Sequence, residues 1–350
     1  MGLGTRLGGL VVGWVVVVSA VSAFAAAPPP ETLKLQDLAA RSDRWPDKIT
    51  LKKDMRFADG AAVKAGQQVT ILDYNGGAIG VDAGNNLLFE VDAADTDLLE
   101  AANAAWAKLT PEQRAVDLKT VQSDSSLWPE KVKCMGAFTL DSGKDIPPGQ
   151  EFEFMSIDGQ FAWVWAAEDK AKLRTELTQT DIVKRARALA AVEKEKRPSR
   201  IAKAMAGKLI GADGKPVAKE NLEQATVFGL YYGASWCGPC RQFSPGLVKY
   251  FNEVTAANPK LVIVLMSNDE KDPDMLGYMK EEKMPFPALP MKAWFTAPAL
   301  TGYVKGEIPQ FAIVDRNGKL IADCYQNGRY MGPKLPMAML KKQVEAGAAK

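Results

Sequence analysis

The stretch Val227-Phe228-Gly229-Leu230-Tyr231-Tyr232-Gly233-Ala234-Ser235-Trp236-Cys237-Gly238-Pro239-Cys240-Arg241 runs from an apolar segment into a Cys-x-x-Cys and then into a helical pattern. Val227 to Tyr232 reads as a buried strand. Pro239 suits a first helical turn, where its missing N–H costs nothing. Phe243, Leu247, Phe251 and Val254 recur at helical spacing, as the core face of a helix from about Pro239 to Thr255. Two cysteines so spaced at a strand-to-helix junction suit reversible dithiol–disulfide chemistry. The first sulfur meets the free N–H groups and positive dipole of the helix, which stabilise a thiolate. The second lies one turn inside, within reach of a mixed disulfide formed on the first. Half a zinc site is the competing reading, but it needs two further ligands. The chain has no histidine, and Cys134 and Cys324 are solitary. No metal and no cofactor are therefore expected beyond a redox-active Cys237–Cys240 disulfide.

Ala234 to Arg241 resembles the active-site segment of thioredoxins, and Gln242-Phe243-Ser244-Pro245 leans toward their tryparedoxin and nucleoredoxin-like branch. Pro245 stands where thioredoxins kink the active-site helix. Ile308-Pro309 fits the family's cis-proline loop, followed by a strand from Gln310 to Val314. Asp315-Arg316-Asn317-Gly318 then reads as a tight hairpin, because Asn-Gly favours the two-residue turn with positive φ. The resemblance covers about residues 200–350 and implies an α/β thioredoxin fold with strand Leu261 to Met266 and a helix near Met275 to Glu282. It makes Cys237 the nucleophile, Cys240 the resolving thiol and Trp236 a lid. Gly238 lets a substrate chain approach the sulfur, with Pro239 opening the helix. Ile308, before a cis bond to Pro309, would offer backbone N–H and C=O groups to an extended substrate. Two positions depart from the family pattern. Tyr231 replaces a buried aspartate that helps deprotonate the second cysteine, which leaves the proton acceptor for Cys240 unidentified. Gly238 stands where the tryparedoxin-like branch has proline.

With 350 residues the chain is long enough for two or three domains, and 47% hydrophobic with 25% charged residues is an ordinary globular composition. The net charge of +2 carries no electrostatic footprint for nucleic acid. Arg6 precedes an apolar run from Leu7 to Ala20, and Ala23-Phe24-Ala25 leads into Pro28-Pro29-Pro30. That layout reads as a signal peptide over 1–27, cleaved after Ala25 or Ala27. An uncleaved anchor over residues 7–25 is the alternative, and the one route to membrane contact. An extracytoplasmic site, periplasmic or secreted, is expected, where disulfides persist and an external electron donor supplies reducing power.

Residues 45–82 and 128–165 align at an offset of 83. Trp45-Pro46-Asp47-Lys48-Ile49 matches Trp128-Pro129-Glu130-Lys131-Val132, and Thr96-Asp97 meets Thr180-Asp181 after one inserted residue. Each copy reads as short strands followed by a capped helix, similar to bacterial SH3-like barrels. The expected organisation is a linker at 28–44, SH3-like repeats at 45–122 and 123–198, and the thioredoxin-like domain at 199–350. The charged stretch Glu193 to Arg200 marks the last boundary. Cys134 aligns with Leu51 on the core side, and Cys134 and Cys324 are expected to be inert buried thiols. In the second copy Phe161, Trp163 and Trp165 share one strand face, where the first copy has Ala78, Gly80 and Asp82. Those rings are either interdomain packing or a docking surface for a protein substrate.

The expected function is an exported thiol–disulfide oxidoreductase that reduces protein or peptide disulfides. A net oxidase is a rival with the same chemistry. A rival of another class is a binding or scaffold protein whose tandem modules carry the function, with a structural Cys237–Cys240 disulfide.

Overall fold

The computed structural model describes residues 32–345 except 59, 86, 137, 140–144, 170, 218–219 and 257. The stretch expected to be a signal peptide, 1–27, lies outside the described residues. No helix among them is long and apolar enough to cross a membrane.

Two four-stranded antiparallel meanders come first. One joins β1 (Lys48–Thr50), β2 (Gln68–Tyr74), β3 (Ala78–Asp82) and β4 (Leu88–Asp92) in that order. The other joins β5 (Lys131–Lys133), β6 (Glu151–Asp158), β7 (Phe161–Ala166) and β8 (Ala171–Glu176). Helices α1 (Leu98–Ala107) and α2 (Ile182–Ala190) follow them. The offset of 83 extends to fine detail. A bulge falls between Ile71 and Asp73 in one copy and between Phe154 and Ser156 in the other. Trp45 Nε1 donates to Leu38 O at 2.7 Å, and Trp128 Nε1 donates to Val121 O at 2.8 Å. Thr50 N is bonded by Asp97 and Lys133 N by Asp181, so each helix start is tied to the first strand of its sheet. Helical turns at Leu35–Leu38 and Leu118–Ser123 are likewise 83 residues apart at their starts. The correspondence therefore begins ten residues before Trp45 and Trp128.

Closed SH3-like barrels are not confirmed. Between the outer strands of each sheet there is one bridge instead of a ladder, Leu51 to Thr96 and Cys134 to Thr180. The 3₁₀ turns Ala93–Asp95 and Leu177–Gln179 lift the chain away just after the last strand, and only Thr96 and Thr180 beyond them return to the seam before the helices begin. The N-terminal region is mostly β, with separate cores around Ile49, Ile79 and Val81 and around Val132, Ala162 and Val164.

The third module is a five-stranded sheet in the order β11 (Ala288–Leu289), β10 (Leu261–Ser267), β9 (Val227–Gly233), β12 (Gln310–Asp315), β13 (Leu320–Ala322). β9 is buried along its whole length, so its alternating side chains feed two cores. Val227 and Tyr231 enter the one with Leu247 and Phe311, while Phe228, Leu230 and Tyr232 enter the one with Trp294 and Val314. β10 runs parallel to β9 and β12 antiparallel to it. Helices α3 (Gly238–Tyr250), α4 (Asp272–Glu281) and α5 (Lys334–Glu345) complete the α/β module. α3 ends in a π-helical turn over Phe251–Thr255.

The hairpin at Asn317-Gly318 departs from the expected two-residue turn. Only Gly318 has positive φ, at 94°, and Asp315 N bonds Lys319 O, so the loop is one residue longer. The turn with both φ values positive lies instead at Asn327-Gly328, with φ of 51° and 76°. It joins β14 (Tyr325–Gln326) to β15 (Arg329–Tyr330). Buried arginines join the modules. Arg200 donates to Phe154 O at 2.5 Å and to Asn317 O at 3.0 Å. Arg187 donates to Asp43 O and Val116 O between the two repeats.

Candidate active site

β9 carries the chain up to Gly233, and α3 starts five residues later, so the segment between lies at the C-terminal edge of the sheet. Asp269, beyond the end of β10 and buried, holds this segment from below. It accepts from Ser235 N at 3.0 Å and Ser235 Oγ at 2.7 Å, and from Ser267 Oγ at 3.0 Å. Arg241 Nε donates to Ser235 O at 2.7 Å from the other side, and its guanidinium pairs with Glu281 at 2.8 Å. Trp236, between these anchors, is 68% exposed and lies outside the core.

Cys237 is the N-cap of α3. Its sulfur accepts from Cys240 N at 3.1 Å, the position at which a thiolate would be held by the helix terminus. Cys237 and Cys240 form a disulfide, with Cα atoms 5.2 Å apart. Cys237 is 5% exposed and Cys240 is fully buried, so an incoming group meets the first sulfur. Nothing stands within 4 Å of the site where a Cβ on Gly238 would lie, so the approach there is open. Pro239 is in the first turn of α3. The Ile308–Pro309 bond is cis, and Ile308 O lies 3.8 Å from Cys237 Sγ. Cys237, Gly238, Pro239, Ile308 and Pro309 are thus gathered at one place, from two ends of the module. Phe161, Trp163 and Trp165 belong to another surface, on the second repeat.

Several groups at the site carry no local motif. Tyr231 Oη lies 3.0 Å from Tyr278 Oη and 3.1 Å from Ser244 Oγ, and those two are 2.6 Å apart. These three hydroxyls cluster under Cys240, whose carbonyl oxygen accepts from Tyr231 and Ser244. Burial pushes the ionisation of Tyr231 and Tyr278 up, so the cluster stays protonated. Tyr330 Oη donates to Pro309 O at 2.5 Å, and Phe311 N donates to Cys324 Sγ at 3.1 Å. The proline loop is therefore held by β15 and by a thiol behind it. Burial raises Cys324 to about 11 and Cys134 to about 12, which keeps both thiols unreactive near neutrality. The Asn327-Gly328 dipeptide was the available signal for Tyr330, since it marks a hairpin next to the loop. Tyr278 and Asp269 had none, because their roles depend on packing between elements far apart in sequence. A groove of about 730 Å³, lined in part by Phe243, Pro309, Tyr330, Met331 and Met337, opens beside the cis bond.

A family model described as thioredoxin-like matches residues 225–320. The chain is 36% identical over 114 residues to probable nucleoredoxin 1 of Arabidopsis thaliana, covering 32% of this chain and 19% of that protein. It is 42% identical over 74 residues to tryparedoxin of Trypanosoma brucei brucei, covering 21% and 49%. It thus spans less than half the length of either relative. Among solved structures, native tryparedoxin I from Crithidia fasciculata is similar at 26% identity with a TM-score of 0.32, covering 42% of this chain and 94% of that one. The family match and the dithiol geometry fall on the same stretch, and residues 225–320 carry a thioredoxin-like domain.

Proposed function

We propose that this protein is an extracytoplasmic thiol–disulfide oxidoreductase that reduces disulfides in proteins or peptides. One observation carries the reading: the Cys237–Cys240 disulfide caps a helix N-terminus and faces the Ile308 carbonyl of a cis-proline loop. In the reduced protein, the Cys237 thiolate attacks one sulfur of a substrate disulfide. A mixed disulfide forms, and the other substrate sulfur leaves as a thiolate that takes a proton. Cys240 then loses its proton and attacks Cys237 Sγ. The substrate departs with two thiols, and the chain is left as the disulfide. A two-electron donor outside the chain restores the dithiol. Ile308 presents its backbone to an extended substrate chain, and the groove beside Pro309 accommodates neighbouring side chains. The leader-like N-terminal stretch supports export, with a membrane anchor if it is retained.

Catalysed reduction of insulin by dithiothreitol tests the reading. Precipitation of the insulin B chain should begin well before that with dithiothreitol alone. If the purified protein gives no acceleration, the disulfide is structural and the tandem modules carry the function.

A further inference from the structure

Each repeat forms a cleft with the module that follows it, and the two clefts use equivalent positions. At the offset of 83, Trp45 and Trp128, Asp73 and Ser156, and Tyr74 and Ile157 line the two clefts. The far wall of the first belongs to the second repeat, and that of the second to the redox module, through Gly302, Tyr303, Lys305, Lys319 and Leu320.

The chemistry of the shared wall has changed between the copies. In the first, Asp73 faces Gly80 across the β2–β3 pair and accepts from Gly80 N at 3.0 Å. A Cβ on residue 80 would come within 2.5 Å of that carboxylate. In the second, Ser156 faces Trp163 at the same register, so the acid is gone and the space holds an indole. The neighbouring strand changes too. Leu88 opposite Asp82 becomes Lys172 opposite Trp165, and Glu90 opposite Gly80 becomes Arg174 opposite Trp163. One carboxylate runs the other way, Glu153 where the first copy has Thr70.

Lys172 Nζ sits 4.3 Å from the Trp163 ring centroid and donates to Gly302 O at 3.3 Å across the cleft. Lys319 Nζ donates to Ser123 O at 3.1 Å. Among the described residues neither has a carboxylate within ion-pair distance. Lys305 is paired with Asp323 at 2.6 Å, and Asp158 is the cleft's own acid. Desolvation and the charge of Lys305 lower the pKa of Lys172, Asp158 offsets only part of this, and a bound anion would relieve the rest. The segment that supplies Tyr303 and Lys305 reaches Ile308 three residues later, a span of about 10 Å at most. The proline loop and this wall are therefore close enough for one bound chain to reach both.

We infer that the cleft of about 600 Å³ between the second repeat and the redox module binds an acidic segment of the polypeptide whose disulfide is reduced. The inference rests on the oxidoreductase reading. Trp163 forms one wall, and Lys172 and Lys319, neither in an ion pair among the described residues, supply the positive charge.

Two peptides with the same disulfide loop, one with an Asp- and Glu-rich tail and one with a Gln- and Ser-rich tail, test it. At low salt kcat/KM should favour the acidic peptide by about fivefold or more. The preference should fall below about twofold at about 0.5 M salt, and in a K172Q/K319Q variant. A ratio near one in the wild type, or one that the substitutions leave unchanged, overturns the inference. Calorimetric titration with a cysteine-free acidic peptide gives a second reading independent of turnover. Weaker binding by K172Q/K319Q supports the cleft, and equal binding overturns it. Free glutarate binding as tightly as the peptide would overturn a polypeptide as the occupant. If neither disulfide peptide is reduced, the oxidoreductase reading fails, and the titration alone decides the cleft.

Discussion

The hydroxyl of Tyr231 donates to the carbonyl oxygen of Cys240 at 3.2 Å. The same carbonyl accepts from Ser244 Oγ at 2.9 Å. A neutral hydroxyl network thus lies under the second cysteine, and it bonds the backbone of that residue.

Removing one member of this cluster should cost stability in proportion to the bonds it leaves open. Tyr231→Phe leaves the Cys240 carbonyl bonded by Ser244, so a loss of about 1 kcal/mol is expected. Ser244→Ala leaves that carbonyl to Tyr231 at 3.2 Å but removes the two shortest contacts of the cluster, at 2.6 and 2.9 Å, and should cost more. Denaturant titration of both variants measures the order. A larger loss for Tyr231→Phe would mean that Tyr231 is the hub.

The order of roles at the disulfide is open to trapping. Cys240→Ser should accumulate a covalent adduct with a substrate peptide through Cys237, and Cys237→Ser should accumulate none. Mass spectrometry of the quenched reaction reads both. Adducts on Cys240 in the second variant would reverse the assignment of the nucleophile.

Acid should loosen the junction between the repeats. Burial alone would raise the Asp43 carboxyl, but hydrogen bonds and charge from Arg41 and Arg187 outweigh it and hold the pKa below the ordinary 3.8. With the folded pKa below the unfolded one, the stabilisation is full above about pH 4 and is lost as pH falls through the folded value. Asp43→Asn should therefore cost about 1–3 kcal/mol at pH 7 and flatten the stability curve below pH 4. An unchanged acid slope in the variant would assign the acid sensitivity to other groups.

The wall exchange between the repeats predicts a coupled pair in the first copy. Gly80→Ala should destabilise by about 0.5–1.5 kcal/mol, because its Cβ pushes the exposed Asp73 carboxylate off its bond to the residue 80 N–H. Adding Asp73→Ser should recover half or more of that loss. Additive losses in the double variant would mean that the two positions do not constrain each other.

Phe161, Trp163 and Trp165 are half-buried, with Arg174 4.3 Å from the Phe161 ring centroid. The aliphatic and cationic groups of β8 cover them in part. Changing Trp163 and Trp165 to Ala should reduce activity on protein disulfides several-fold more than on hydroxyethyl disulfide. A large fall in melting temperature with unaltered substrate preference would make the pair interdomain packing.

Short-range physics made much of this protein legible in its sequence. A fully apolar run, a Cys-x-x-Cys with Pro239 in the first helical turn and a helical stripe at Leu247 determine a strand, a turn and a helix almost without help from the rest of the chain. The duplication was equally plain, because matched residues at a constant offset keep the same bulge and the same helix tether. Closure was not legible, since whether a meander becomes a barrel depends on the path after its last strand, and here a 3₁₀ turn takes the chain away. The turn at Asn317-Gly318 was overruled by tertiary context, where Tyr303 Oη donates to Gly318 O at 2.6 Å. Tertiary structure alone brought Tyr278 beneath Cys240, Tyr330 against Pro309 and Lys319 against the second repeat. Each of those contacts joins segments tens of residues or more apart, and no local propensity encodes which distant side chain will meet a given backbone group.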